Sequence, residues 1–234
     1  KPIQIQIIRN GVAEFGLWTA TGLDLPIESQ GFSPESDQLV SALDLSYGQF
    51  DLYTPLQMAQ YVSTIANGGI RYSPRLVKEI RGTDANGELG EVKTSIPPKI
   101  LNVINLDPQV IGRIQEGMRQ VSHTDTGTAR YFFLNYPITI GSKTGTTEAF
   151  YAGPIKYQAN KPVTNATYVG YAPFDDPEIA ISVVVPYLEE ASWGRESTRI
   201  AYEVMNAYFE IQDATSKKIQ EYIKANPDAD AWVQ

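Results

Sequence analysis

The chain has 234 residues and the composition of an ordinary globular protein: 42% hydrophobic, 20% charged and 11% aromatic residues. Its net charge of −8 argues against a nucleic-acid-binding protein, which would concentrate Lys and Arg to neutralise phosphates. The absence of cysteine excludes disulfides, thiolate zinc sites and a cysteine nucleophile, and the single histidine, His123, argues against a His-rich metal site. No apolar run approaches the roughly 18 residues that would indicate a membrane span.

The first half of the chain predicts helices and strands separated by turns. Thr54-Pro55 is predicted to begin a helix, because Thr is a good N-cap and Pro suits the first helical position. Asn67-Gly68-Gly69 is predicted to end it, because its glycines accept the positive φ angles of a helix stop. The other predicted elements, in chain order, are a helix tail over 1–14, a turn-rich segment over 15–37, a strand-like segment over 72–81, a turn at 83–87 and a returning strand over 92–101.

The second half of the chain predicts one helix, three strands and a closing helix. Asp107-Pro108 is predicted to begin the first of these helices, and a polar loop over 123–129 follows it. The strands are predicted at 138–147, 165–172 and 178–186, the closing helix at 194–210, and a polar tail at 213–234, outside a domain formed by residues 1–212. The third strand is β-branched and nearly continuous, which is typical of a central strand.

The stretch Ser142-Lys143-Thr144-Gly145-Thr146-Thr147 is the most informative part of the sequence. Side chains alternate along a strand, so Lys143 is predicted to face one way and Thr144 and Thr146 the other. Gly145 has no side chain and lets a ligand or another backbone lie close. One cation, two hydroxyls and an open edge suit a carboxylate-bearing, peptide-like ligand. K-T-G is also the third signature element of penicillin-binding proteins and serine β-lactamases.

Several further segments, taken with K-T-G, resemble the transpeptidase domain of class B penicillin-binding proteins, the monofunctional D,D-transpeptidases of cell-wall synthesis. The resemblance covers roughly residues 15–210, and the order and spacing of its motifs are far more specific than any single motif. The segments similar to family motifs are Thr21-Gly22-Leu23-Asp24-Leu25-Pro26-Ile27-Glu28, Tyr47-Gly48-Gln49-Phe50 with Thr54-Pro55-Leu56-Gln57-Met58-Ala59, Ala66-Asn67-Gly68-Gly69, and Gly127-Thr128-Ala129 ahead of Lys143-Thr144-Gly145-Thr146.

The chain departs from the family at two motifs. The family's nucleophile lies in S-x-x-K and its second element is S-x-N, but no serine here is followed three positions on by Lys or two positions on by Asn. In the family both elements precede the T-G-x-D-L-P segment. We therefore expect this chain to be the C-terminal part of the domain, to begin after the nucleophile, and not to acylate by itself.

The resemblance implies a role for each residue of the K-T-G strand. Lys143 would contribute positive potential beside the nucleophile. Thr144 and Thr146 would hold the carboxylate of a substrate or penicillin, and the backbone N–H of Thr146 would be one of two oxyanion-hole donors. Gly145 would allow the ligand backbone to pair as an added strand.

The remaining candidate residues carry more than one interpretation. Thr147 and Glu148 continue the substrate-binding strand, and Glu148 either is simply solvent-exposed or weakens the binding of anionic β-lactams by repulsion. His123 is predicted to be a hydrogen-bonded loop residue, since the family uses Lys as its base. Trp18, Tyr151 and Trp193 either line the substrate groove or fill cores, and a structural role is predicted for Asp24, Glu28, Gln49 and Asn67.

The reaction implied by the resemblance is acyl transfer without a metal or organic cofactor. A serine attacks the D-Ala-D-Ala carbonyl of a stem peptide, the terminal D-Ala leaves, and an amine of another stem peptide resolves the acyl-enzyme. The implied fold is an α/β architecture with a five-stranded antiparallel sheet flanked by helices, of which three strands are present here. The expected partners are stem peptides, β-lactam antibiotics, the upstream half of the same domain and cell-wall synthesis proteins.

Two other functions are compatible with the sequence. A secreted serine β-lactamase shares K-T-G but hydrolyses its acyl-enzyme, and a non-catalytic β-lactam-sensing receptor domain also binds penicillin. The transpeptidase interpretation additionally implies a catalytic domain outside the cell, on a single-pass membrane anchor upstream of this chain.

Overall fold

The computed structural model describes residues 3–33, 39–84, 86–151, 154, 161–188 and 195–211. The helices are α1 (Ile3–Glu14), α2 (Leu39–Ser46), α3 (Pro55–Ala66), α4 (Pro108–His123), α5 (Arg130–Phe133) and α6 (Arg195–Tyr208). The strands are β1 (Ile70–Ser73), β2 (Glu79–Thr83), β3 (Leu89–Ser95), β4 (Lys99–Val103), β5 (Gly141–Phe150), β6 (Pro162–Ala172) and β7 (Ile179–Leu188). Helices and antiparallel strands together form the predicted α/β fold.

The main sheet has the antiparallel order β5-β6-β7. The β5–β6 ladder pairs every residue from Gly141 opposite Tyr171 to Phe150 opposite Pro162, without a bulge. Among the described residues β5 pairs only with β6, so its other edge is open. The three predicted strands are therefore confirmed, and the K-T-G strand lies at the edge of the sheet.

The alternation of side chains along β6 divides the core in two. Tyr168 is completely buried on one face, in a cluster with Phe133 and Met205, between the sheet and helices α5 and α6. Val169 and Tyr171 point to the other face, toward α3 and α4. Burying a side chain such as Phe133 or Met205 completely is worth about 1.5–3 kcal/mol, so these two clusters fix the helices on the sheet.

Helix α3 has the predicted start and stop. The Thr54 hydroxyl accepts from the Gln57 backbone N–H, and the Gln57 side chain accepts from the Thr54 N–H, which forms a capping box. Gly68 and Gly69, just past its end, have φ angles of 81° and 111°. Both predictions for this helix are confirmed.

The turn-rich N-terminal segment is held by buried polar side chains of its neighbours. The Gln57 amide donates to the Thr19 carbonyl at 2.9 Å, and the Gln60 amide donates to the Thr21 carbonyl at the same distance. Arg9 of α1 forms a buried ion pair with Asp51 at 2.9 Å. These contacts connect the turn-rich segment to α3, and α1 to the segment just before α3.

The structure corrects four details of the predicted elements. The strand predicted over 72–81 is two strands, β1 and β2, and the returning strand over 92–101 is β3 and β4. Prolines separate each pair, and proline cannot donate a ladder hydrogen bond. His123 was predicted to lie in a loop, but it is the last residue of α4. Helices α2 and α5 are present in the structure but were not predicted. The predicted tail over 213–234 lies outside the described residues.

In the part of the chain that the structure describes, none of the helices combines the length and the apolar character needed to cross a bilayer.

Candidate active site

The K-T-G residues lie on the two faces of β5 as the alternation predicts. Lys143 is exposed on one face, and its ammonium group donates to the Thr144 carbonyl. Thr144 and Thr146 lie on the opposite face, where they line a cleft of about 370 Å³. The structure thus brings the two hydroxyls together and separates them from the cation.

A tight turn after α4 positions a third hydroxyl in the cleft. Gly127 lies so close to the end of α4 that a Cβ there would be 2.3 Å from the Val121 carbonyl oxygen, so only glycine fits. The next residue, Thr128, places its Oγ1 atom 2.7 Å from the Oγ1 atom of Thr144. The Gly127-Thr128 motif therefore joins the K-T-G strand at the cleft.

The end of α4 is bonded to the start of β5 beneath the cleft. The hydroxyls of Ser122 and Ser142 are both buried and 2.7 Å apart. The Nε2 atom of His123 accepts a hydrogen bond from the Ile140 backbone N–H at 2.9 Å. Burial is the main cause that lowers the pKa of His123, which keeps the imidazole neutral and able to accept. His123 is thus a hydrogen-bonded structural residue, as predicted.

The far wall of the cleft is formed by residues that were not predicted to belong to the site. Tyr131 of α5 lines it, and the guanidinium carbons of Arg130 and Arg195 lie 4.9 and 3.9 Å from its ring centroid. Thr198 adds a hydroxyl to the same cleft. Arg195 and Thr198 are three positions apart on the predicted closing helix. This spacing indicates that the two side chains share a helix face, and it is the sequence feature that could have identified them together.

The other residues of the motif do not line the cleft. A Cβ at Gly145 would lie 2.3 Å from the Thr167 hydroxyl oxygen of β6, so a side chain here would require that hydroxyl to move. Thr147 is half-buried on the Lys143 face, and Glu148 is exposed.

Neither of the two described candidate aromatic residues lies in the cleft. Trp18 stacks on the guanidinium of Arg9, and Tyr151 is buried against Tyr187. Of the two interpretations left open, these contacts favour a structural role for Trp18 and Tyr151, while Trp193 lies outside the described residues.

The polar residues predicted to be structural do make structural contacts. The Asp24 carboxylate accepts from the Leu76 N–H, and the Glu28 carboxylate accepts from the Thr21 N–H. Asn67 exchanges two hydrogen bonds with the backbone of Ile70, and the backbone N–H of Gln49 closes the end of α2 on the Asp44 carbonyl.

A larger recess of about 500 Å³ lies behind α5, lined by Asn135, Pro137 and Tyr202 among others. It contains none of the K-T-G residues. The cleft on β5 is therefore the better candidate for an active site.

Comparison with known proteins defines the class of this fold and site. Residues 3–206 match the profile of the penicillin-binding protein transpeptidase domain. The chain is 40% identical to penicillin-binding protein 2A of Bacillus subtilis over 227 residues, which cover 94% of this chain and 31% of that protein. It is 41% identical over 212 residues to penicillin-binding protein H of the same organism, covering 90% of this chain and 29% of that protein.

A solved structure agrees with the sequence matches. Penicillin-binding protein 2B of Streptococcus pneumoniae superimposes with a TM-score of 0.76 at 36% identity, over 90% of this chain and 34% of that structure. The chain belongs to the penicillin-binding protein transpeptidase family, and its matches are to class B members. It spans about a third of the length of these relatives.

Proposed function

We propose that the chain is the part of a peptidoglycan D,D-transpeptidase that carries the substrate-binding strand. The whole protein would cross-link stem peptides through a serine acyl-enzyme, and the serine would come from polypeptide upstream of residue 1. The observation that supports this most directly is the cleft beside the open edge of β5, where Thr144 and Thr146 of the strand meet Thr128 of the preceding turn.

Each residue of the strand has a part in the proposal. The D-Ala-D-Ala end of the donor peptide pairs with the open edge of β5 as an added strand. Thr144 and Thr146 bind its terminal carboxylate, and the Thr146 N–H stabilises the oxyanion that develops on the attacked carbonyl. Lys143 adds positive potential from the opposite face of the strand.

The proposal also assigns substrate-binding roles to the two residues that follow Thr146 on the strand. Thr147 and Glu148 extend the pairing edge beyond the oxyanion hole. Glu148 is exposed and does not line the cleft, so any repulsion it exerts on an anionic β-lactam is screened by solvent.

The test measures two reactions in separate samples of the full-length protein: acylation by a fluorescent penicillin, and release of D-Ala from a stem pentapeptide. The wild type is expected to form a long-lived acyl-enzyme and to release D-Ala when an acceptor amine is present. Lys143→Met is expected to slow acylation by about 10²-fold or more, in the range that loss of preorganised active-site electrostatics gives. Lys93→Met, at an exposed lysine of β3, is the matched control and should acylate normally.

The two rival functions give different results in the same assay. Rapid release of hydrolysed penicillin would identify a serine β-lactamase. A stable acyl-enzyme with no D-Ala release from the pentapeptide would identify a sensing receptor. Either result would contradict the transpeptidase proposal.

The proposal extends to location and partners. The catalytic domain would lie outside the cell on an upstream single-pass anchor, in contact with other cell-wall synthesis proteins. Fractionation of cells producing the full-length protein tests this, because recovery in the soluble cytoplasmic fraction would contradict it.

A further inference from the structure

The cleft beside β5 has a cationic wall that the K-T-G motif does not supply. Arg130 and Arg195 both stack on Tyr131, and stacking leaves the N–H groups at the edge of a guanidinium free to donate. Among the described residues, neither arginine is paired with a carboxylate; the ion pairs present involve other arginines.

The charge of the cleft is opposite to that of the protein. Its lining includes two arginines and four threonines but no Asp or Glu, whereas the whole chain has a net charge of −8. The nearest acid of α6 in sequence, Glu196, is paired with Arg199 at 3.2 Å. An anion that enters the cleft therefore meets two guanidinium groups and no repelling lining residue.

A threonine of α6 adds a further hydroxyl to the cationic wall. Thr198 is only 3% exposed, yet it lines the cleft and has no side-chain hydrogen bond to any described residue. It lies one turn after Arg195 on α6, so the two side chains share a face. Because Thr198 lines the cleft, its hydroxyl is within reach of a ligand oxygen there.

The position of Arg195 also argues for a ligand. It is the first residue of α6, where the helix dipole disfavours a cation. A negatively charged group bound to the Arg195 guanidinium would offset this unfavourable interaction with the helix dipole. Lys143, by contrast, lies on the other face of β5 and donates to the Thr144 carbonyl.

We propose that Arg195 and Thr198, supported by the stacked Tyr131 and Arg130, bind the carboxylate of the ligand that lies along β5. In this arrangement Arg195, and not Lys143, supplies the charge that distinguishes a carboxylate ligand from a neutral one. The inference rests on the proposed function, since it assigns a further binding residue to the same site.

The test compares a ligand that carries this carboxylate with one in which the carboxylate is esterified and uncharged. Acylation rate constants of the full-length protein are measured with benzylpenicillin and with its carboxylate methyl ester, and their ratio gives the selectivity for the carboxylate. Arg195→Gln is expected to lower this ratio about tenfold, the usual effect of one charge-assisted hydrogen bond at a partly exposed site. Thr198→Val should lower it less, and Arg195→Lys should retain part of it because the charge remains.

A matched control lies one turn along the same helix. Arg199→Gln removes an exposed arginine of α6 that pairs with Glu196, and it should leave the ratio unchanged. Thermal melts of all four variants show whether each remains folded. An unchanged ratio in Arg195→Gln, or an equal loss of rate with both ligands, would overturn the inference while the proposed function stands. No acylation of the wild type by either ligand would instead overturn the proposed function, and the inference with it.

Discussion

At the scale of single residues, the cleft depends on hydrogen bonds that hold β5 against the end of α4. The Thr128–Thr144 and Ser122–Ser142 hydroxyl pairs are both 2.7 Å long. His123 adds a third connection, to the Ile140 N–H. Of these groups only Thr128 and Thr144 line the cleft. The two serines and His123 lie outside it and hold β5 in position.

The contact of His123 predicts a local dependence on pH. Its pKa in the folded state is lowered, so the unfolded chain binds a proton more readily, and the contribution of His123 to stability rises with pH. That contribution is present above the ordinary histidine pKa of about 6.5 and is lost as the pH falls below it. Protonated Nε2 can no longer accept from Ile140, and Arg119 nearby adds to the cost of the charge.

Hydrogen exchange of the full-length protein measures this effect. After correction for intrinsic exchange, protection of the peptide spanning 134–142 should fall between pH 7 and pH 5. His123→Gln keeps an acceptor that does not titrate, so its protection should stay level across that range. A peptide from α3 is the internal control. Parallel profiles for the wild type and the variant in the 134–142 peptide would refute the assignment.

At the scale of elements, the turn between α4 and α5 determines whether Thr128 reaches Thr144. Gly127→Ala places a Cβ 2.3 Å from the Val121 carbonyl oxygen and 2.6 Å from that of Gln120, so the turn must move. We expect a loss of about 1–3 kcal/mol in the free energy of unfolding, as for other overpacked sites, together with slower acylation.

Gly117→Ala is the matched control for this substitution. Gly117 lies inside α4 with open space around its Cβ position, so alanine should stabilise the helix by up to about 1 kcal/mol. Chemical denaturation and penicillin acylation of the full-length protein measure both variants. Equal stability of Gly127→Ala and Gly117→Ala would show that the turn is not constrained as described.

Elements with a strong local signal could be predicted from the sequence, and those fixed by distant contacts could not. The helix start at Thr54-Pro55 and the β-branched run of β7 are local, and both were predicted. The α5 helix has only four residues, and it is stabilised by the burial of Phe133 rather than by a pattern of its own. The cationic wall brings Tyr131 to Arg195, 64 positions apart, and nothing in either segment alone indicates that they meet.

At the scale of the whole molecule, many large apolar side chains of the described residues remain exposed, several of them within the first 52 residues. Ile7 of α1 and Leu43 of α2 are 65% and 61% exposed, and Phe32 and Leu52, which face each other in a β-bridge, are both 62% exposed. The outer edge of β7 also pairs with no described strand. Apolar patches and free strand edges of this kind are covered by further protein or lead to association.

We therefore predict that residues 1–234 alone are poorly stable or self-associate. Supplying the upstream half of the domain should restore a monomeric complex with a cooperative thermal transition, because it covers the exposed surface. Size-exclusion chromatography with light scattering and differential scanning calorimetry measure the two samples. A cooperative melt of monomeric 1–234 at ordinary temperatures would contradict the prediction.

The uninterrupted β5–β6 ladder has a consequence for how this segment tolerates changes in length. All ten residues from Gly141 to Phe150 are paired one to one, so inserting or deleting a single residue upstream of Lys143 would exchange the faces of every side chain that follows. The ammonium would then enter the cleft and the threonines would leave it. Single-codon insertions in this strand should therefore abolish penicillin binding, whereas paired insertions that preserve the parity would keep each group on its own side.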